Sequence, residues 1–151
     1  MSSPYPTAAE IHTLFAYLST GHGDNFWSRV SPNVDWLVPG SNAASGHYHT
    51  LADWMAGAAG ALNKAFPEPL QLVVTNVIGG GEQEWAVAEL SADTTCKNGL
   101  PYHQRYAWVC RFDDKGVIVQ AKNQGLQVRA YLDTELVQQA LEQNPEMSEM
   151  K

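Results

Sequence analysis

Apolar residues recur at helical spacing through the first part of the chain and at strand spacing after it. Ile11, Leu14, Phe15 and Leu18 fall three and four apart, the period of one helix face. They follow Thr7-Ala-Ala-Glu10, in which the threonine can cap a helix while the glutamate reaches back to the cap. This predicts a first helix ending near Gly21 and Gly23. Asp24 is placed to cap a short second helix carrying Phe26, Trp27 and Val30, which Pro32-Asn33 breaks. Residues 34–38 read as a short strand stopped by Pro39-Gly40, and residues 41–49 as loop. Thr50 and Asp53 start a third helix whose apolar face uses Leu51, Trp54, Met55, Ala58 and Leu62, with Pro67 and Pro69 ending it.

Beyond Pro69 the stretches 70–78, 84–92, 102–112 and 117–121 predict successive strands. Gly79-Gly80-Gly81, Asn98-Gly99 and Asp113-Asp-Lys-Gly116 supply turn chemistry between them. A last strand at 128–133 and a closing helix at 134–143 follow, and residues 144–151 read as a frayed tail. Helices first and then an antiparallel meander is an α+β order, and no interior linker divides residues 1–151 into more than one domain.

Composition narrows the function. Sixteen acidic against nine basic residues give a net charge of −7, and no basic run exists to meet a phosphate backbone, so nucleic acid is excluded as a partner. No apolar stretch reaches the length of a membrane span, and residues 1–10 lack the pattern of a signal peptide. A cytoplasmic protein with no membrane partner is expected. Cys96 and Cys110 give no disulfide framework and are expected as reduced thiols.

Several short passages carry a resemblance. His22-Gly-Asp24 followed by Asn33-Val-Asp-Trp36 and Pro39-Gly40, then Ser45-Gly-His-Tyr48, Asn98-Gly-Leu-Pro-Tyr102, Arg105-Tyr-Ala-Trp108 and Val128-Arg-Ala-Tyr-Leu-Asp133, stand in one order. In that order they resemble the SnoaL-like enzymes of the NTF2-like superfamily over residues 7–143. The resemblance implies an NTF2-like cone, with N-terminal helices packed on a curved antiparallel sheet around an apolar pocket. It also implies a homodimer and the chemistry of polyketide cyclases, isomerases or dehydratases, although other members catalyse nothing. The chain departs from the pattern twice. Ala130 stands where many relatives carry an acidic residue, and Ala121-Lys-Asn-Gln-Gly-Leu-Gln127 lengthens the approach to the last strand.

A register argument picks candidate catalytic residues. If Asn98-Gly99 is a two-residue hairpin loop, Trp85 pairs with Phe112, Val87 with Cys110, Glu89 with Trp108 and Ser91 with Tyr106. Glu89 then shares an aromatic face with Tyr102, Tyr106 and Trp108. A carboxylate there would be desolvated and tuned towards proton transfer, with the two tyrosines donating to a developing enolate or alkoxide. Asp35 is the second candidate acid or base, read equally as a turn carboxylate. Trp36, Trp54 and Trp108 are candidate substrate walls, His49 a contact at the pocket mouth, and Arg129 either a substrate clamp or a structural ion-pair partner. His47 and His49 form an H-x-H pair without a third metal ligand visible in sequence, so no metal and no cofactor is expected. Gly79-Gly80-Gly81 has no helix behind it and reads as a turn, not a nucleotide cradle.

These residues predict a cofactor-independent isomerase or cyclase-type enzyme working by general acid–base chemistry on a hydrophobic, carbonyl-bearing secondary metabolite of polyketide or terpenoid type. A non-catalytic small-molecule binding protein with the same pocket stays open. So does a dimeric interaction module using a sheet face lined by Ala86, Ala88 and Val109.

Overall fold

A computed structural model describes residues 3–38, 46–118, 127–131 and 134–142. The first helix, α1 (Ala8–Ala16), starts on the Thr7 capping box: Glu10 N donates to Thr7 Oγ1 and Thr7 N donates to Glu10 Oε1. Its buried stripe is Ile11, Leu14 and Phe15, and it packs on strands β3 (Val73–Gly79) and β4 (Trp85–Thr95). A single 3-10 turn, Tyr17–Ser19, carries the chain on to α2 (Gly23–Trp27). The cap of α2 is His22, and Asp24 lies inside the first turn with no side-chain capping bond, a correction of two residues.

Six strands form one sheet in the order β2-β1-β6-β5-β4-β3. They are β1 (Asp35–Val38), β2 (Gly46–Tyr48), β3 (Val73–Gly79), β4 (Trp85–Thr95), β5 (Pro101–Arg111) and β6 (Gln127–Tyr131). All pairings are antiparallel except β1 with β6. Strand β2 falls in a stretch expected as loop; three residues with a glycine among them are too short for a period-2 signal. Of the strand expected at 117–121, Val117 and Ile118 are described, and Ile118 bridges to Val30 and Phe112. The tail at 144–151 and most of the 121–127 insertion lie outside the described residues.

The connection from β4 to β5 shifts the expected register by one residue. Gly99 N donates to Cys96 O, and Cys96 N donates to Leu100 O, so Lys97, Asn98 and Gly99 form a three-residue loop. Gly99 takes φ +89, the left-handed third position that follows a type I turn in such loops. Trp85 consequently pairs with Arg111, Ala88 with Trp108, Glu89 with Ala107 and Leu90 with Tyr106. Because strand side chains alternate, the shift moves Glu89 to the face opposite Trp108 and Tyr106. Ala86, Ala88, Leu90 and Ala92 take its place on the buried face beneath the helices, which corrects their expected place on an open face.

The third helical segment begins with α3 (Leu51–Trp54), whose cap Thr50 accepts from Asp53 N at 3.0 Å. A π-helical turn, Met55–Ala59, follows, and α4 (Gly60–Asn63) ends the segment. The closing helix α5 (Thr134–Glu142) buries Val137, Ala140 and Leu141. An aromatic cluster joins helices to sheet. Trp36 stacks on Trp54 with centroids 4.0 Å apart and planes 7° from parallel. Trp108 meets Trp36 edge-on at 5.1 Å, and Phe15 contacts Phe26 at 4.8 Å.

Candidate functional site

Between the helices and the sheet lies a cavity of about 660 Å³, within the size range of small-molecule sites. Strands β5 and β1 supply Tyr106, Trp108 and Val38. The α3–α4 segment supplies Trp54, Ala58, Ala59 and Leu62, and the turns around α2 add Leu18 and Trp27. Asn63, Glu68 and Gln71 give the lining its polar side chains outside the aromatic ones. The cavity forms here because helical spacing puts Trp54, Ala58 and Leu62 on one face, with small alanines leaving room before the facing indole of Trp108.

Its chemistry is that of hydrogen-bond donors in an apolar wall. The Tyr102 and Tyr106 hydroxyls lie 3.0 Å apart, both buried. Burial pushes the Tyr106 hydroxyl well above the ordinary tyrosine value, and neighbouring Tyr102 adds to the effect. Tyr106 is therefore neutral, a donor and not a base, at physiological pH. The Nε1 atoms of Trp36, Trp54 and Trp108 are buried and make no hydrogen bond. An unpaired buried donor costs on the order of 1–3 kcal/mol, and these three donors lie within the packed aromatic cluster and not on the cavity surface.

The expected site residues separate into those at the cavity and those away from it. Trp54, Trp108 and Tyr106 line it, and Tyr102 stands behind Tyr106. Trp36 is fully buried between Trp54, Trp108 and Trp27, supporting the wall from behind. Glu89 faces away and accepts a hydrogen bond from Asn76 Nδ2 at 2.9 Å. Arg129 lies in β6 opposite Val109 and Leu37, and Ala130 opposite Trp108.

Asp35 alternates with Trp36 and Val38 along β1, so it too points away from the cavity. It is buried, and its Oδ1 lies against His47 Nε2 and 3.1 Å from His49 Nδ1. His49 is thus not a contact at the pocket mouth but part of a second cluster on the other sheet face. Sequence reasoning missed Glu68 on the lining and Asp35 as the third member of the H-x-H group. The first lies in a turn without periodicity, and the second is joined only by strand pairing.

No protein-family model matches the chain. A curated protein, the dimerizing cyclase phiC of a fungal species (strain ATCC 74256), is 24% identical over 141 residues, which span 93% of this chain. The match takes in 59% of that protein, so the chain spans about three fifths of its length. Among solved structures, an NTF2-like protein of Burkholderia thailandensis E264 superposes with a TM-score of 0.63 at 16% identity, over 93% of this chain and 98% of that one. A protein of Jannaschia sp. CCS1 assigned as a SnoaL-like polyketide cyclase gives 0.58 at 17% identity, over 87% and 88%. The architecture built from the sequence and these superpositions agree on one fold, the NTF2-like α+β cone.

Proposed function

We propose that the chain is a cofactor-independent enzyme of the SnoaL-like cyclase type, acting on a hydrophobic, carbonyl-bearing metabolite held in the cavity. The observation that carries this reading is the aromatic wall of the cavity, in which Trp54 and Trp108 flank Tyr106, whose neutral hydroxyl is hydrogen-bonded to Tyr102. Donors fixed in a water-poor wall stabilise negative charge as it develops on a carbonyl oxygen, at no reorganisation cost. Glu68, the carboxylate that borders the cavity among the described residues, replaces Glu89 and Asp35 as the proton acceptor. The aromatic rings hold the substrate in a reactive fold. The word cyclase in the name of the fungal relative supports the reaction type.

The test is turnover of a panel of hydrophobic β-dicarbonyl compounds, followed by mass spectrometry, in wild type and in Tyr106→Phe. Tyr106→Phe is expected to lower kcat by roughly 10²–10³, the cost of one oxyanion donor, while ligand affinity changes little. Binding in wild type without conversion of any compound would favour a non-catalytic binding protein. One observation favours that second reading: Ala130, with no acid group, stands in the register opposite Trp108.

For assembly we read the chain as a homodimer through the outward sheet face. Val73 and Ile78, on the edge strand β3, are 48% and 56% exposed there, and the pairing sets Ile78 beside Val87 and thence Val109. No described helix is long and apolar enough to cross a membrane.

A further inference from the structure

Strand pairing gathers three metal-ligating side chains on the sheet face opposite the cavity. Trp36 pairs with Tyr48 and Leu37 with His47, so one step further along the ladder sets Asp35 beside His49. Residues two apart on a strand share a face, which puts Asp35, His47 and His49 together. One ligand atom from each, a carboxylate oxygen and two imidazole nitrogens, lies within 4.8 Å of the others.

The burial and the hydrogen bonding of Asp35 point beyond a surface ion pair. Asp35 is only 3% exposed, and a buried carboxylate oxygen ordinarily takes aligned hydrogen bonds. Its Oδ1 takes none, although His47 Nε2 lies against it and His49 Nδ1 is 3.1 Å away. Both imidazole nitrogens come close to the oxygen at angles that make no aligned hydrogen bond, and the two ring centroids are 4.4 Å apart. Atoms that approach side by side in this way resemble ligands arranged round a common centre. Ligands about 2.0–2.2 Å from a tetrahedral ion stand roughly 3.3–3.6 Å from one another, so side-chain rotation is what brings atoms lying within 4.8 Å of each other onto one ion.

We propose that Asp35, His47 and His49 form a binding site for a zinc-class divalent metal ion, separate from the cavity. Two imidazoles and one carboxylate suit zinc and its borderline neighbours, whereas magnesium and calcium prefer oxygen-only sets. Three protein ligands leave a fourth position for water. His47 and His49 are 43% and 66% exposed, so an ion can reach the site from solvent. The ion would also clip β2, an edge strand of three residues, onto the buried end of β1.

The test is isothermal titration of the chelator-treated chain with zinc chloride, with magnesium chloride as the counter-ion. Wild type is expected to bind one zinc per chain and no magnesium. His49→Ala is expected to weaken zinc by more than the roughly 10–100-fold that losing a mere supporting partner costs, and the pair His47→Ala/His49→Ala to abolish it. His22→Ala, at an exposed histidine outside the cluster, is expected to leave binding unchanged. Both ligand histidines are exposed, so their variants keep the core, which far-UV circular dichroism checks. Cobalt(II) in place of zinc should give the intense visible absorption of a four-coordinate site in wild type and lose it in His49→Ala. Absence of zinc binding in wild type, or equal affinity in the double variant, overturns the proposal. The cavity reading is untouched by either result, because none of the three residues lines the cavity.

Discussion

Tyr106 contributes to the cavity wall and to the core at once, its ring 6.4 Å from that of Trp108 and its hydroxyl 3.0 Å from that of Tyr102. Its raised pKa has a consequence for stability at alkaline pH. In the unfolded chain the phenol ionises near pH 10, while the folded chain holds the proton to higher pH. Above pH 10 the native state therefore binds more protons than the unfolded state, and stability falls as pH rises, by up to about 1.4 kcal/mol per pH unit from this group. Below pH 10 the contribution is fully present. The buried Cys110 thiol, also raised by burial, adds a decline that begins near its unfolded value of about 8.5. Urea titrations at pH 9, 10 and 11 should show a shallower loss in Tyr106→Phe between the last two points. Equal losses in wild type and variant would mean that the phenol ionises freely in the fold. A second residue carries a packing prediction. Trp36 touches Trp27, Trp54 and Trp108, and Trp36→Ala should cost about 3–5 kcal/mol in the same titration. At this scale the aromatic walls were legible, because bulky rings in predicted helices and strands are buried whichever partner they meet. The carboxylates were not, since the side on which Glu89 or Asp35 lies depends on register and pairing.

The β4–β5 hairpin shows how one turn residue decides a site. Asn98-Gly99 suits a two-residue loop, but the structure uses Gly99 as the left-handed third residue of a longer one. The local sequence is compatible with both, and burial selects between them. The observed register stacks Ala88, Leu90 and Ala92 under the helices and sends Glu89, Ser91 and Asp93 to the other face, whereas the alternative would bury the first of those carboxylates. The π-helical turn Met55–Ala59 was equally invisible to periodicity, since a single wide turn only displaces the apolar stripe by part of a residue step. Its effect is testable at Gly60. Replacing a helical glycine by alanine ordinarily gains roughly 0.5–1 kcal/mol. Here the new Cβ would sit against the Met55 carbonyl oxygen, which the wide turn brings under it. Gly60→Ala is therefore expected to destabilise by about 1–3 kcal/mol, the cost of overpacking, and a thermal melt giving a higher Tm would refute the steric account.

The order of helices before strands foretold the α+β cone because such a chain can bury both apolar faces only against each other. What composition and order left open is which sheet face meets the helices and which meets a neighbour. The structure resolves the first: Tyr102, Gln104, Tyr106, Trp108 and Cys110 of β5 are buried on the helix side, while β3 ends the sheet with Val73 and Ile78 exposed. An exposed apolar edge strand invites pairing with further chains unless it is covered. A second copy of this chain would cover it while leaving the cavity, on the other face, free to bind. The charge balance bears on the same point, since at −7 two copies repel at long range, and only a local apolar contact with screened surroundings would hold them. Dimerisation should accordingly strengthen as salt rises from low ionic strength. A lysine at Ile78 places a charge at the centre of the proposed contact, so light scattering after gel filtration should move from twice the 16.6 kDa chain mass to the monomer in Ile78→Lys. Cavity ligand binding should persist in that variant, because Ile78 lies on the outward face. A dimer unchanged by Ile78→Lys would place the interface elsewhere on the molecule, and a wild-type monomer at high protein concentration would remove the homodimer altogether.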